Sequence, residues 1–415
     1  MTSSTSLIRN RHFRWLWLGQ TVSVFGDQFS NLALPVLAVT TLGATSQQMG
    51  YLGAASTASW LLVGLVAGAW VDRLIKRQVM LVADLVRFAA LLAIPLLWIN
   101  HQLQIWHLFV VGGVIGLASV FFGVASQSFI PVLLPKDQIG VGNSALETSG
   151  SVSGVAGPSL VGFLLGVLSA PVLILFDAVS FAFSALTLGL IRDSELKKPV
   201  EARRPLRVEI AEGLAFVRKQ EIIRTIALTT GTGNFFSNVA MVLFPLYFLK
   251  ELGFTPGQFG LIMSAGAVGG LIGAASAGKL MQRFGEGNVT VASAVLYGFT
   301  TLCIPTASLL PHEAQLPFLM ATELCNSFLV LAYNITQVSA RQRICPPELL
   351  GRMNASIRFF IWGVMPIGSL LGGWIAAIIG VIPTMWIGCA GVLASSVFVL
   401  NSPLRGMKRL PEANQ

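Results

Sequence analysis

The stretch Leu42-Gly-Ala-Thr-Ser-Gln-Gln-Met-Gly50 recurs later in the chain as Leu252-Gly-Phe-Thr-Pro-Gly-Gln-Phe-Gly260. Five of the nine residues match at an offset of 210. A second pair of stretches, Pro135–Leu146 and Pro346–Ile357, aligns at an offset of 211. Matches in series at a nearly constant offset, close to half of the 415 residues, indicate an internal duplication.

The composition indicates a protein that crosses a membrane several times. The chain is 54% apolar and 11% charged, whereas soluble domains carry about 25% charged residues. The four cysteines have no ligand-like spacing, so neither a disulfide framework nor a metal site is predicted. Duplication in so apolar a chain is typical of secondary transporters that are built from repeats.

Twelve segments are long and apolar enough to cross a bilayer, which takes about 20 residues each. We predict spans at 14–41, 47–71, 78–99, 104–133, 142–168, 171–191, 222–249, 257–281, 287–309, 315–343, 353–379 and 381–401. No cleavable signal is expected, because the basic N-terminus leads directly into the first span. The predicted domains are therefore a six-helix bundle at 1–191, a linker at 192–221 and a second six-helix bundle at 222–415.

The distribution of basic residues predicts that both termini are cytoplasmic. With that orientation almost every Lys and Arg lies on the cytoplasmic side, and Lys250 is essentially the only base in an outer loop. The net charge of +9 is thus explained without a nucleic-acid partner. In the linker, Leu206, Ile210, Leu214 and Val217 form one stripe, which predicts an amphipathic helix on the cytoplasmic surface.

The sequence predicts that this protein is not an enzyme and binds no cofactor. There is no phosphate-binding loop, and Gly231-Thr-Gly233 lacks both a third glycine and a preceding strand. No nucleophile–base pair and no set of metal ligands stands out, and the four histidines do not cluster.

One loop carries the main family resemblance. Between spans 2 and 3 the chain reads Gly68-Ala-Trp-Val-Asp72-Arg73-Leu-Ile-Lys76-Arg77. It resembles the loop signature of the major facilitator superfamily, and a decayed copy stands at Gly278–Arg283. With twelve spans and a duplication, the resemblance covers the whole chain. It implies two pseudo-symmetric six-helix bundles, an all-α fold, and transport by alternating access.

Finer motifs point to one branch. In span 5, Gly154, Gly157, Pro158 and Gly162 resemble the Gly-Pro motif of the superfamily's antiporters, which favours export. Arg14–Gly19 and Ala83–Arg87 resemble macrolide-efflux and enterobactin-exporter proteins. The better-known multidrug branch carries an arginine deep in span 4. Here 104–133 contains no base, so a coupling scheme that relies on that arginine does not carry over.

Carboxylates inside spans are the candidate coupling residues. A charge near the bilayer centre costs roughly 2.5–3.5 kcal/mol on insertion scales, so its presence needs a reason. Asp27 lies near the middle of span 1 and Glu323 in span 10, and the resemblance implies that both spans line the central cavity. They are candidates for proton coupling or for binding a cationic substrate; a structural hydrogen bond is an equal alternative. Asp177 is on an outer span by the same resemblance and ranks lower.

Polar residues on the same spans predict the rest of the cavity. The candidates are Asn31, Gln127, Asn234, Asn238, Asn326 and Tyr333. Each alone is more often helix-packing material. Together with neighbouring phenylalanines they suit a bulky amphipathic compound better than a sugar.

The repeat also predicts a gating device. The offset of 211 relates Glu147 to Arg358. In the resembled fold, Asp72 would face Arg358 and Glu147 would face Arg283, forming two acid–base latches of reversed polarity on the cytoplasmic side. Arg73 and Arg77 belong to the same loop motif.

The predicted function is proton-coupled export of a hydrophobic or amphipathic small molecule, such as a drug or a siderophore; sodium coupling stays open. The alternatives are a lysophospholipid flippase or nutrient symporter on the same fold, or a membrane receptor or scaffold without flux. The expected partners are a small-molecule substrate, the proton and the lipid bilayer, without nucleic acid. We expect a monomer in the bacterial inner membrane.

Charge reversal tests the latches. We expect Glu147→Arg and Arg283→Glu each to reduce transport, because each places like charges together, and the double reversal to restore it. Substrate efflux from cells is the measurement. A double variant no better than either single variant would contradict the latch.

Overall fold

A computed structural model describes residues 10–71, 73–135, 138–192, 206–346 and 349–408. The regular elements of these ranges are all helical. They are α1 Arg11–Thr40, α2 Ser46–Val71, α3 Lys76–Ile99, α4 Ile105–Leu133, α5 Ile139–Leu165, α6 Ala170–Gly189, α7 Leu206–Lys219, α8 Glu221–Met241, α9 Pro256–Phe284, α10 Glu286–Thr306, α11 His312–Ile344, α12 Leu350–Gly363, α13 Met365–Ile379 and α14 Val381–Ser395. Short helical turns follow at Phe244–Leu246, Tyr247–Glu251, Ala307–Leu309 and Val397–Leu400.

These helices confirm the all-α membrane fold. Among the described residues, ten helices are long and apolar enough to cross a bilayer. The two other predicted spans correspond to α2 and α5, which have 26 and 27 residues and are long enough to cross as well. The structure is thus consistent with twelve spans. A helix suits this environment because it satisfies its own backbone hydrogen bonds where no water is available.

The chain divides into two compact units. The first comprises Met1–Ala44, Ala55–Glu201 and Thr255–Gly260, and the second comprises Thr45–Ala54, Ala202–Phe254 and Leu261–Gln415. The change from first to second at Glu201 falls inside the predicted linker. Part of that linker, 193–205, lies outside the described residues.

The repeated stretch has the same local structure in both copies. Gly43 and Gly253 have φ of +64° and +68°, a left-handed conformation that glycine adopts without a Cβ clash. Two residues later Thr45 and Gln48 form a capping box, in which Gln48 N donates to Thr45 Oγ1 (3.3 Å) and Thr45 N to Gln48 Oε1 (2.9 Å). Thr255 and Gln258 repeat this box at 3.2 and 2.9 Å. The residues that the two copies share therefore specify the end of one helix and the start of the next.

In the first unit, α1 packs against α5 and α6. Ser153 Oγ donates to Val24 O (2.8 Å), and Trp17 Nε1 donates to Ser149 Oγ (3.0 Å), so hydroxyls of α5 hold α1. Against α6 the contact depends on glycine. A Cβ on Gly19 would lie 2.1 Å from Thr187 Oγ1. Small residues let the backbones approach closely, as is usual between helices in lipid.

In the second unit, α8 packs against α13 and α14. A Cβ on Gly368 would lie 2.4 Å from Phe235 O, and one on Gly372 would lie 2.4 Å from Val239 O. On α14, a Cβ on Gly391 would lie 2.1 Å from the Phe236 ring. Glycines thus set the position of α8, which carries several of the predicted cavity residues.

The predicted eleventh span is present and contains a turn at Val364. The stretch Ser356–Ile379 is long and apolar enough to cross the bilayer as one span, and within it α12 ends at Gly363 and α13 begins at Met365. Pro366 stands at the start of α13, where its missing N–H costs no hydrogen bond. Asn234 Nδ2 donates to Ile361 O in the last turn of α12, at 3.1 Å. A side chain from α8 therefore satisfies a carbonyl near this turn.

The amphipathic linker helix is present as α7. Phe216 and Val217 pack against a buried core cluster of the second unit that includes Ile222 and Ile226. Leu214, on the predicted stripe, is 53% exposed. The helix is therefore anchored to the second unit through its C-terminal turns.

Two glycine crossings are related by the repeat. Within the first unit, a Cβ on Gly260 would lie 2.5 Å from Gly162 Cα and 2.9 Å from Pro158 O. Within the second unit, a Cβ on Gly373 would lie 2.8 Å from Gly50 Cα. The offset of 210 relates Gly50 to Gly260, and 211 relates Gly162 to Gly373. The duplication has therefore preserved both partners of each crossing.

Substitution at the crossing tests its tightness. Alanine is a better helix former than glycine by about 1 kcal/mol, so Gly→Ala normally stabilises a helix. We expect Gly260→Ala instead to lower the thermal unfolding temperature, because the added methyl group overpacks the contact at a cost of about 1–3 kcal/mol. Gly278→Ala, in open space on the same helix, is the control. Equal unfolding temperatures for the two variants would contradict the tight crossing.

Candidate functional site

Buried acidic residues gather between α1 and α6 of the first unit. Asp177 of α6 is 1% exposed, and Asp27 of α1 is half-buried. A Cβ on Gly26 would lie 2.6 Å from Asp177 Oδ1, so the absence of a side chain there makes room for this carboxylate beside α1. Ser180 Oγ donates to Asp177 Oδ1 at 3.1 Å. The structure thus brings together two carboxylates that are 150 residues apart in the sequence.

A buried ion pair on α3 completes this group. Asp84 and Arg87 are one turn apart and bond to each other, with their side chains 0% and 4% exposed. The Arg87 guanidinium lies 4.3 Å from the ring centroid of Phe122 on α4 and 4.2 Å from that of Phe181 on α6. Each such cation–π contact contributes about 0.5–2 kcal/mol. The arginine is therefore fixed between three helices.

The four charged residues form what we call the acidic cluster: Asp27, Asp84, Arg87 and Asp177. Asp27 lies within electrostatic range of Arg87, Asp84 and Asp177. Three carboxylates thus share one guanidinium in a buried place. Since an unpaired charge is costly in such surroundings, the cluster holds an excess negative charge unless it binds protons or another cation.

The other polar residues predicted in the first unit make no described hydrogen bond or ion pair with the acidic cluster. Asn31 lies one turn after Asp27 and is exposed, as are Gln127 on α4 and Glu147 on α5. Among the hydrogen bonds and ion pairs of the described residues, none joins these three to the cluster. Their predicted roles stay predictions.

The second unit contains two adjoining cavities, of about 230 and 210 Å³, which share Ser237, Met241, Tyr297 and Val330 in their walls. We call them together the C-unit cavity. All five residues predicted here line it; Asn234, Asn238 and Tyr333 line the first cavity, and Glu323 and Asn326 line the second. The structure therefore brings together residues of α8 and α11 that the sequence separates by about a hundred positions.

Hydrogen bonds orient the polar wall of this cavity. Tyr333 OH and Thr230 Oγ1 lie 2.8 Å apart, which links α11 to α8. Asn238 Nδ2 donates to Asn234 O at 2.9 Å. Glu323 interacts with the Asn326 side chain and lies within electrostatic range of Tyr297. The carboxylate thus faces hydroxyl and amide groups in a wall that is otherwise aliphatic and aromatic.

The structure describes some residues of the predicted gating motif and tests none of the predicted latches. Asp72 lies outside the described residues, so its latch with Arg358 stays a prediction, as does the pairing of Glu147 with Arg283. Arg73 is exposed in the turn after α2, on which Gly68 stands. Arg77 Nη1 donates to Ile191 O at 2.7 Å, which ties α3 to the end of α6. This arginine therefore has a structural contact of its own.

Some residues of the Gly-Pro motif of α5 make close contacts with other helices. A Cβ on Gly157 would lie 2.4 Å from Gln28 Cγ of α1, and Gly162 and Pro158 form the crossing with Gly260. Gly154 has nothing within 4 Å of the place of a Cβ. The motif thus packs α5 on both α1 and α9.

A family model for transmembrane secretion effectors matches residues 2–414, almost the whole chain. The chain belongs to this family. The family consists of transporters of the major facilitator superfamily, which confirms the predicted resemblance and that the protein is a transporter, not an enzyme.

Relatives of this transmembrane secretion effector match it over nearly its whole length. Macrolide efflux protein A of Streptococcus pyogenes is 22% identical, over 96% of this chain and 97% of its own. The multidrug efflux pump Tap of Mycobacterium tuberculosis is 27% identical, over 94% and 93%.

Solved structures show the same fold. A bacterial homologue of the iron transporter ferroportin, in an inward-facing state, aligns with a TM-score of 0.77 at 20% identity, over 94% of this chain and 98% of its own. The nucleoside transporter NupG aligns with a TM-score of 0.75 at 13% identity, over 94% and 99%.

The sequence alone indicates no role for Asp84 and Arg87 beyond their place in the stretch Ala83–Arg87 that resembles efflux proteins. A charged pair three residues apart within an apolar span was the available signal. Asp177 ranked low because a span's number indicates its place in the bundle, whereas side-chain direction decides what the residue contacts. Thr230, Ser237 and Tyr297 were missed, since hydroxyls are common in helix packing.

Removing one partner of the Asp84–Arg87 pair tests its burial. We expect Arg87→Gln to destabilise the transporter by about 3–5 kcal/mol, because Asp84 is left as an uncompensated buried charge. The double variant Asp84→Asn with Arg87→Gln should recover most of this loss. Thermal unfolding of the purified protein is the measurement. A double variant as unstable as Arg87→Gln alone would show that the uncompensated charge of Asp84 does not cause the loss of stability.

Proposed function

We propose that this transporter exports a hydrophobic or amphipathic small molecule, such as a drug or a siderophore, driven by protons that move inward. The observation that carries the proposal is the C-unit cavity, where Glu323 and several amides and hydroxyls are set in an apolar, aromatic wall. Such a wall can bury an apolar body while a few polar groups orient it. The carboxylate also suits a substrate that carries a positive charge.

The size of the cavity supports this class of substrate. Two adjoining spaces of about 230 and 210 Å³ together fall within the range of roughly 300–1,000 Å³ that is typical of pockets for drug-sized ligands. The relatives named for macrolide efflux and multidrug efflux support the same class and the direction of transport.

The acidic cluster supports proton coupling. Its three carboxylates outnumber its one guanidinium, so binding a proton removes an electrostatic penalty, and releasing it restores one. We assign Asp27 and Asp177 as the sites that exchange the proton. Asp84 and Arg87 are the fixed neutral pair beside them, because they bond to each other.

In this proposal Arg87 also supplies the positive charge that an arginine in span 4 supplies in the better-known multidrug branch. The better-known multidrug branch, from which this chain departs, carries an arginine in span 4, whereas α4 has none. The Arg87 guanidinium reaches the Phe122 ring of α4 from α3. In this proposal a cation from α3 therefore lies against α4.

The driving force is sufficient for useful export. One charge that moves inward down 100 mV releases about 2.3 kcal/mol. Since 1.4 kcal/mol corresponds to a factor of ten, this sustains a gradient of roughly fiftyfold per proton. A chemical proton gradient adds to it. Alternating access, through the latches described above, would couple the two movements.

We also propose a cellular location, a domain organisation and an oligomeric state for this transporter. The basic residues favour the inner membrane of a bacterium with both termini in the cytoplasm. The division into two units is proposed to correspond to two six-helix bundles joined by the linker that contains α7. A single chain contains both the acidic cluster and the C-unit cavity, so a monomer suffices.

Reconstitution tests the function directly. In liposomes with an imposed pH gradient, we expect uptake or release of a dye, macrolide or siderophore together with a change in internal pH. A sodium gradient alone should drive no transport. If no compound of the panel moves protons, the antiport proposal is wrong.

Two substitutions separate coupling from binding. We expect Asp27→Asn to reduce proton-driven transport at least tenfold while substrate exchange without a gradient continues, because the amide of asparagine does not take up or release a proton near neutral pH.

We expect Glu323→Gln to weaken the binding of cationic substrates more than the binding of neutral ones. Glu313→Gln, an exposed carboxylate on the same helix, is the control. Equal loss of neutral and cationic substrates in Glu323→Gln would contradict the role of its charge.

A further inference from the structure

A basic cavity lies in the second unit, away from the C-unit cavity. Its volume is about 600 Å³, and its walls come from the end of α9, the start of α10, the end of α11 and the chain near Lys408. The charged residues that line it are Arg283, Arg343, Lys408 and Glu286. We call it the basic pocket. Three cations against one carboxylate make it attractive to an anion.

The pocket is a built feature, because the C-terminal segment is fastened to the turn between α9 and α10. Glu286 N donates to Lys408 O at 3.3 Å, and Gly287 N to Met407 O at 3.2 Å. Gly406 N donates to Asn288 Oδ1 at 2.9 Å. A Cβ on Gly285, where φ is +89°, would lie 2.6 Å from Lys408 Cα. Only a glycine therefore lets the backbone of Lys408 approach this closely.

The two arginines are held differently. Arg343 Nη1 lies 2.6 and 2.9 Å from the two oxygens of Glu286, and its side chain is still 48% exposed. Its other N–H groups can therefore meet a ligand. The Arg283 guanidinium lies 5.4 Å from the Phe284 ring. Guanidinium groups bind phosphate through paired N–H donors, which favours a phosphate over a simple halide.

The surroundings favour a lipid as the source of that phosphate. The basic pocket lies at the ends of α9 and α11, both of which are long enough to cross the bilayer. Phe284, beside Arg283, is 53% exposed, and exposed aromatic rings at the ends of spans are typical of the membrane interface. Basic pockets between spans on the cytoplasmic side suit anionic headgroups.

We propose that the basic pocket binds the phosphate of an anionic phospholipid of the cytoplasmic leaflet, with Arg343 and Lys408 as its ligands. Glu286 competes with the phosphate for Arg343. The side on which the pocket lies follows from the proposed orientation, but the site does not depend on the transported substrate or on the coupling ion.

Lipid binding by the purified full-length protein tests this proposal. We expect native mass spectrometry to show retained phosphatidylglycerol in preference to phosphatidylcholine. The double variant Arg343→Gln with Lys408→Gln should lower this retention at least tenfold. Glu286→Gln should raise it severalfold, because it removes the competing charge without adding a base. Lys279→Gln and Arg405→Gln, two exposed bases that do not line the pocket, are the controls and should retain the lipid as the unmodified protein does.

The source of the phosphate is tested in a second arm. Inorganic phosphate and glycerol 3-phosphate, at the same concentration, should not displace the lipid. Displacement by either would overturn the lipid as the source. Unchanged retention in the double variant, or weaker retention in Glu286→Gln, would overturn the site itself. Since Glu286→Gln is expected to gain binding, a folding defect cannot imitate the predicted result.

Discussion

Helices in a bilayer gain little by burying apolar side chains against one another, because lipid is as apolar as those side chains. Association then depends on close backbone contact and on hydrogen bonds between helices. This chain meets that requirement with glycine at the points of crossing. Gly26 admits α6 to α1, Gly368 and Gly372 admit α13 to α8, and Gly260 meets Gly162. Most of the functional geometry follows from these contacts.

The close contact at Gly26 has a direct electrostatic consequence. It places Asp177 beside α1 and so within range of Asp27. Arg87, held by two aromatic rings, supplies the cation that makes the burial of several carboxylates tolerable. In the second unit the same packing positions α8, and the asparagines of α8 then form one wall of the C-unit cavity. Packing and polar chemistry are therefore coupled.

The two copies of the duplication share the residues that shape helix ends and helix crossings, but they differ in their charged residues. Both preserve a left-handed glycine, a capping box and a glycine crossing. The acidic cluster of the first unit has a different counterpart in the second, where Glu323 stands in a cavity rich in amides and hydroxyls. Helix ends and crossings depend on backbone geometry, which a repeat retains. Charges respond to function and diverge.

The sequence by itself determined the class of the molecule. Apolar length specifies spans, because a bilayer has a set thickness. The repeat and the loop motif indicated the superfamily, and the polar residues of α8 and α11 indicated the cavity in the second unit. Only the tertiary structure decided which side chains meet. It placed Asp177 within electrostatic range of Asp27, and it placed Arg87 between the rings of Phe122 and Phe181. It also placed a turn at Val364 within the eleventh span. In a chain so uniformly apolar, hydropathy shows where a helix crosses the membrane. The rotation of that helix depends on glycine contacts with residues far away in sequence.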